Sequence, residues 1–172
     1  MKLIAISGSW RKMDSRVERD VRREAGKIMR RGDGIVTGGA LGVDFIATDE
    51  ALKRDSKAKR IKIILPSSFA SYAWHMKKRM KEGTIPKKTC ARLLKQLEKI
   101  RKANPSALVE MKGVAKGKHV TQKQYYKRNS EVIKTVDGLV AFRVNESKGT
   151  QDAIEKAKRK GIAVKVFSYS SP

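Results

Sequence analysis

Acidic side chains are scarce in this 172-residue chain: 17 Asp and Glu stand against 41 Lys and Arg, a formal charge of +24 at pH 7. A surplus of that size goes beyond what solubility requires and points to a polyanion such as nucleic acid, or to an anionic ligand. A well-solvated Lys-rich surface of the kind found in heat-adapted proteins is the other reading, and the scarcity of Asn and Gln suits it. Cysteine is nearly absent. Cys90 stands alone, which excludes an internal disulfide, and His75 and His119 are the only histidines, so no clustered set exists for a structural zinc and no metal site is expected. Long apolar runs are missing as well. The opening run from Met1 to Ser7 is too short for a signal peptide, and no stretch approaches a membrane span, so the chain reads as cytoplasmic with no membrane partner. Its length fits one domain, residues 1–172, able to bury a core without disulfides or metal.

What is present is an alternation of short apolar runs with helical patterns. Leu3 to Ser7 reads as a buried strand broken by Gly8-Ser9-Trp10-Arg11. Val17, Val21, Ala25 and Ile28 then mark one face of a helix from about Asp14 to Arg31. Ile35 to Thr37 is the second strand, Gly42 to Arg54 the second helix, and Ile61 to Leu65 the third strand, closed by Pro66. The C-terminal part repeats the scheme: a helix from about Thr121 to Val136, a strand Gly138 to Phe142, a helix Gly149 to Lys160 stopped by Gly161, and a strand Ile162 to Phe167. This predicts an α/β, Rossmann-like parallel sheet with helices on both faces and strand order 3-2-1-4-5. Ligands collect at the carboxyl ends of strands where such an order reverses, and the loops expected there are Gly8 to Arg11, Gly38 to Leu41 and Arg143 to Thr150.

A basic helical insertion at about residues 69–120 interrupts the scheme. Residues 69–128 hold 17 Lys and Arg against Glu82, Glu98 and Glu110, a net +14 in one third of the chain. Pro86 to Ala103 reads as an amphipathic helix with Cys90, Leu93, Leu94, Leu97 and Ile100 on its apolar face. Lys87, Lys88, Arg92, Lys95 and Lys99 lie elsewhere on it, either as a solvated face or as a surface laid along a phosphate backbone.

The most informative stretch is Thr37-Gly38-Gly39-Ala40-Leu41-Gly42-Val43-Asp44, where an apolar strand stops at paired glycines and restarts as a helix. Glycines let a ligand approach the main chain, and the amides of the next helix start favour an anion; tight strand-to-helix packing writes a similar pattern. With Ala47 and Ala51-Leu52, this stretch resembles the SGGAxGID..A...AL signature of DNA-processing protein A (DprA). Arg128-Asn129, Leu139-Val140-Ala141-Phe142, Lys148-Gly149-Thr150 and Ala157 resemble that family's downstream block, and Ser7-Gly8-Ser9-Trp10-Arg11 resembles its first turn. The resemblance covers roughly residues 2–65 and 121–168. It implies a SLOG-type Rossmann-like protein, a group that also holds the LOG-type nucleoside-monophosphate phosphoribohydrolases, and by analogy a homodimer. This chain has Leu41 where many DprA proteins carry a basic residue, Thr48 where they carry His, and Ala153 where LOG-type enzymes carry a catalytic Glu.

The candidate phosphate-binding residues are Ser7, Gly8, Ser9, Arg11, Thr37, Gly38, Gly39, Ala40, Arg128, Asn129, Lys148, Gly149 and Thr150. Thr37 offers a hydroxyl, Arg11 a bidentate clamp and Lys148 a charge, while Arg128 and Asn129 are placed to bond either loops or ligand. Trp10, Tyr72, Trp74, Tyr125 and Tyr126 can stack a base or simply pack. No resident cofactor is expected beyond a bound nucleotide or phosphate. Two functions follow: binding of a nucleotide or single-stranded DNA or RNA, or cleavage at an N-glycosidic bond, for which Asp44 and Asp152 are the available carboxylates. An interaction module whose basic helix meets a protein or ribosomal surface is a third.

Overall fold

Successive side chains leave a strand in opposite directions, so a strand covered on both sides must feed two cores. Along Leu3–Gly8 (β1), Ile4 and Ile6 enter one apolar cluster and Ala5 the other. Gly34–Thr37 (β2) sends Ile35 to the first and Val36 to the second, and Ile61–Leu65 (β3) divides Ile63 from Ile64 in the same way. Gly138–Val144 (β5) alternates Leu139 and Ala141 with Val140 and Phe142. The computed structural model describes residues 1–172, and with Leu108–Glu110 (β4) and Ala163–Tyr169 (β6) these strands form one parallel sheet in the order β4-β3-β2-β1-β5-β6.

The helices are Ser15–Arg30 (α1), Val43–Leu52 (α2), Phe69–Lys81 (α3), Lys87–Ala103 (α4), Gln122–Thr135 (α5) and Lys148–Lys160 (α6). Residues of α1 to α4 fill the larger cluster, while α5 and α6 cover the opposite face. Local chemistry sets several of their ends. Asp14 caps α1 by accepting the amides of Arg16 and Val17 at 2.9 and 3.0 Å, and Gly161 ends α6 in the left-handed region at φ 76°. No helix is long and apolar enough to cross a membrane.

The expected order 3-2-1-4-5 is incomplete. The five strands read from the sequence lie in that order, as β3-β2-β1-β5-β6, but the insertion contributes a sixth, β4, paired to β3 at the sheet edge. Three residues with two of them exposed leave no periodic signal. The insertion also holds a helix the pattern did not yield, α3, capped by the Ser68 hydroxyl on the Ser71 amide at 3.1 Å. Tyr72 and Met76 of α3 and Leu93, Leu97 and Ile100 of α4 share the larger cluster with Ile35 and Val43, so the insertion is built into the core beside α2.

Candidate functional site

The order reverses between β1 and β5, and the loops leaving β1, β2 and β5 diverge there above the sheet. The β2 loop is held from inside. Asp44, in the first turn of α2 and only 5% exposed, accepts the Gly38 amide at 2.9 Å and the Ala40 amide at 3.3 Å through one carboxylate oxygen. Burial raises the Asp44 carboxyl above its usual range, opposed by the Arg128 charge and the two amides. Thr37 is fully buried, its hydroxyl 3.3 Å from that of Thr48. The Gly39 carbonyl accepts the Tyr72 phenol at 2.9 Å.

Two glycines matter by geometry. At Gly42, φ is 70°, and a Cβ there would stand 2.6 Å from both the Ser9 carbonyl oxygen and the Trp10 Cα, so this residue locks the β1 loop against the start of α2. Over Gly38 lies the Arg128 guanidinium, in space a Cβ would fill. Arg128 Nη1 donates to the Gly38 carbonyl, and Nε donates to Asn129 Oδ1 at 3.2 Å. None of the ion pairs involves Arg128, although it is 7% exposed. Its Nη2 has no protein acceptor, and since no sealed polar side-chain atom lacks a partner, Nη2 is open to solvent-accessible space.

The opposite wall is the start of α6. Its first closing amide is Gln151, which bonds the Ser147 carbonyl at 3.0 Å, leaving the amides of Lys148, Gly149 and Thr150 without a protein acceptor. Three free donors, the positive end of a 13-residue helix and the Lys148 ammonium give this wall a positive, donor-rich surface. Asn129 fixes its position by donating to the Gly149 carbonyl at 3.2 Å and to Asp152 at 2.9 Å.

Between these walls lies a cleft of about 570 Å³. Its positively charged end is formed by Arg128, Lys148, Gly149 and Thr150; Trp10, Tyr72, Tyr125, Tyr126, Met76 and Ile85 give the rest an aromatic and apolar character. Burial raises the phenols of Tyr72 and Tyr125, so both stay protonated and can donate. Behind Tyr125, its hydroxyl lies 3.2 Å from His75 Nε2, and His75 Nδ1 accepts the Val120 amide at 3.2 Å and lies 2.9 Å from His119 Nδ1. No three His, Cys, Asp or Glu side chains gather anywhere as a metal site would require.

Of the residues singled out in the sequence, Ser7, Gly8, Arg11, Ala40, Asp44, Arg128, Asn129, Lys148, Gly149 and Thr150 line this cleft. Thr37, Gly38 and Gly39 lie beneath it: Thr48 meets the Thr37 hydroxyl, Asp44 and Arg128 take the Gly38 amide and carbonyl, and Tyr72 donates to the Gly39 carbonyl, while the Gly39 amide has no protein acceptor. Ser9 also turns away, accepting the Val144 amide at 3.0 Å and so tying β1 to β5. Asp152 is bound to Lys156 at 2.8 Å and faces a neighbouring groove with Glu146 and Glu155. Lys87, Lys88, Arg92, Lys95 and Lys99 are exposed on α4 and do not reach the cleft. Sequence reading missed Met76, Arg79 and Ile85 in the wall, although the spacing of Phe69, Tyr72, Met76 and Met80 carried the signal of the helix that brings most of them.

No family model and no curated protein matches the chain. Solved structures do. DNA-processing protein A from Helicobacter pylori, described for its single-stranded DNA binding mode, superposes with a TM-score of 0.67 at 20% identity over 96% of this chain and 64% of that one. A molybdenum cofactor binding protein from Rippkaea orientalis gives 0.57 at 15% identity, covering 97% and 76%. DNA-processing protein A from Streptococcus pneumoniae gives 0.51 at 14% identity, covering 98% and 59%. The chain shares the Rossmann-like α/β fold of these proteins and spans less than two thirds of the length of either DNA-processing protein.

Proposed function

We propose that this protein binds a nucleotide or single-stranded nucleic acid in the cleft at the strand carboxyl ends, with phosphate held by the start of α6 and Arg128. The observation that carries this reading is the pairing of unengaged donors, namely Arg128 Nη2 and the amides of Lys148, Gly149 and Thr150, with an aromatic wall in one cleft. Phosphate suits the first and a base suits the second. The fold shared with a single-stranded-DNA-binding protein agrees with it. The exposed cations of α4 extend the reading to a longer strand, whose backbone would run outside the cleft. We read the whole chain as one domain serving this purpose, assembling as a homodimer, which a native mass measurement tests.

Anisotropy titrations of labelled single-stranded oligonucleotides at rising salt test the binding reading. Three phosphate contacts give a slope of about −2 in log K against log salt, so affinity drops roughly tenfold or more from 50 to 200 mM salt. Arg128→Ala and Lys148→Ala weaken binding of every length, whereas reversing Lys87, Lys95 and Lys99 to Glu weakens only long strands. Absence of binding to DNA, RNA and mononucleotides at low salt removes the proposal.

One observation favours a second reading, hydrolysis or transfer at the N-glycosidic bond of a nucleoside monophosphate. Asp44 lines the cleft as a desolvated carboxyl with one oxygen outside the protein's hydrogen bonds, the kind of group that serves as a general acid or stabilises a sugar cation. Asp44→Asn keeps an oxygen for the Gly38 and Ala40 amides and removes the ionisable group. This reading expects free base from a nucleotide panel with the native chain and none with Asp44→Asn; no base released by the native chain sinks it.

A further inference from the structure

The phosphate end described above leaves a second group of cations in the same cleft without a part. Arg11, in the loop after β1, and Arg79, on α3 of the insertion, both lie against the Trp10 ring, with guanidinium carbons 4.2 and 5.0 Å from its centroid. All three residues line the cleft. Neither arginine is neutralised. The insertion's three acids are engaged elsewhere: Glu82 lies 3.7 Å from Lys78 and 3.6 Å from His119, Glu98 lies 3.6 Å from Lys102, and Glu110 accepts the Phe69 amide at 3.1 Å. Arg79 has no hydrogen-bond acceptor in the protein either, although it is half-buried.

A guanidinium resting on an indole is held in position by the ring and keeps its N–H edges for paired bonds to two oxygens of a phosphate or carboxylate. Two such groups on one ring repel each other, and a shared anion removes that repulsion. Trp10 is itself fixed, because Gly42 brings the start of α2 against its backbone. The Arg128 and α6 donors come from the other side of the switch point, so the cleft presents cations in two groups, and the charges of Arg79 and Arg128 both act on Tyr72 and Tyr125.

We propose that Arg79 and Arg11, seated on Trp10, form a second phosphate subsite, and that the preferred ligand carries two phosphates flanking a nucleoside, as in a 5′-phosphorylated dinucleotide or the 5′ end of a phosphorylated strand. This rests on the nucleotide-binding reading and narrows it. A mononucleotide fills one subsite. A dinucleotide fills both.

Calorimetric titration of the full chain with AMP and with the 5′-phosphorylated dinucleotide pApA tests it. The expected result is pApA binding about tenfold tighter than AMP, one charge-assisted contact's worth, with a log K against log salt slope steeper by about 0.7. Arg79→Gln and Arg11→Gln each bring the pApA to AMP affinity ratio towards one. Equal affinities and equal salt slopes in the native chain overturn the inference alone, as does a ratio that survives both substitutions. The slope comparison needs no variant, so misfolding of a substituted chain does not shield the idea. Failure of both probes to bind overturns the nucleotide reading together with this inference.

Discussion

Acidification should loosen the wall of the cleft through one histidine. His75 is 3% exposed, and its pKa is lowered from 6.5 to about 4 by burial first, then by the nearby charges of Arg79 and His119, with Glu82 opposing. The hydrogen bonds fix its tautomer. Because the Val120 amide can only donate, His75 Nδ1 is the acceptor, and the ring proton sits on Nε2 facing the Tyr125 hydroxyl. Protonating Nδ1 removes the acceptor that ties the loop ending at Val120 to α3. Since the folded pKa lies below the unfolded one, the unfolded chain takes up the proton first, and stability falls as pH drops through the window from 6.5 to about 4. Between pH 7 and pH 5 the loss from this group is about 2 kcal/mol, rising to about 3 kcal/mol below the folded pKa. Urea unfolding of the native chain and of His75→Gln at both pH values isolates the effect. The native midpoint should move down by about 1 M more than that of the variant. Parallel shifts in the two proteins, or a His75 ring titrating near 6.5 by NMR, would refute the reasoning.

Other consequences are simpler to measure. Gly42→Ala places a Cβ against backbone atoms of Ser9 and Trp10 at a positive φ, so a loss of about 2 kcal/mol or more in thermal or urea unfolding is expected, and an unchanged midpoint counts against the loop packing described. Tyr72→Phe leaves the Gly39 carbonyl without its donor in a fully buried position, and unfolding should show a deficit of about 1 to 2 kcal/mol. For Asp44 the sign is opposite to that of His75: its folded pKa is raised, so the native chain loses stability relative to Asp44→Asn as pH climbs above 3.8. Identical pH profiles for those two proteins would contradict a desolvated carboxyl. Cys90 is 1% exposed with its thiol pKa pushed up by burial, so a thiol reagent should label it only on unfolding; rapid labelling of the native chain would show that α4 is not seated as described.

Much of the architecture was legible because a covered parallel sheet leaves simple marks. The runs at Leu3, Ile35, Ile61, Leu139 and Ala163 are short, apolar and separated by helical spacing, which is all that the order β3-β2-β1-β5-β6 requires. The insertion was harder for a physical reason. Most of its lysines and arginines sit on the outer faces of α3 and α4, so charge dominates the composition while Tyr72, Met76, Leu93 and Leu97 pack inside. Nothing local in Leu108-Val109-Glu110 distinguishes an edge strand from a loop; pairing with β3 decides it. Arg79 could not be placed in the cleft from sequence, because its position depends on how the α3 helix docks beside Trp10.

The glycine turn shows why a motif can mark a site without supplying its contacts. Paired glycines after a strand suggest amides turned towards a phosphate, yet here the amides of Gly38 and Ala40 both point to Asp44. Glycine at position 38 is needed for a different approach, that of the Arg128 guanidinium, which fills the space a side chain would occupy and bonds the carbonyl beneath. The turn therefore acts as a floor that orients one arginine and one buried carboxyl, and a run of three consecutive free amides lies across the cleft at Lys148 to Thr150. Asp44 and Arg128 also offset each other there. An anion arriving at Arg128 would compete with Asp44 for that charge and favour the protonated carboxyl, so ligand binding should raise the Asp44 pKa further and draw in a proton at acidic to neutral pH. Calorimetry of a nucleotide in two buffers of different ionisation enthalpy measures that uptake directly, and buffer-independent heats throughout the titration range of Asp44 would mean that the phosphate does not sit at Arg128.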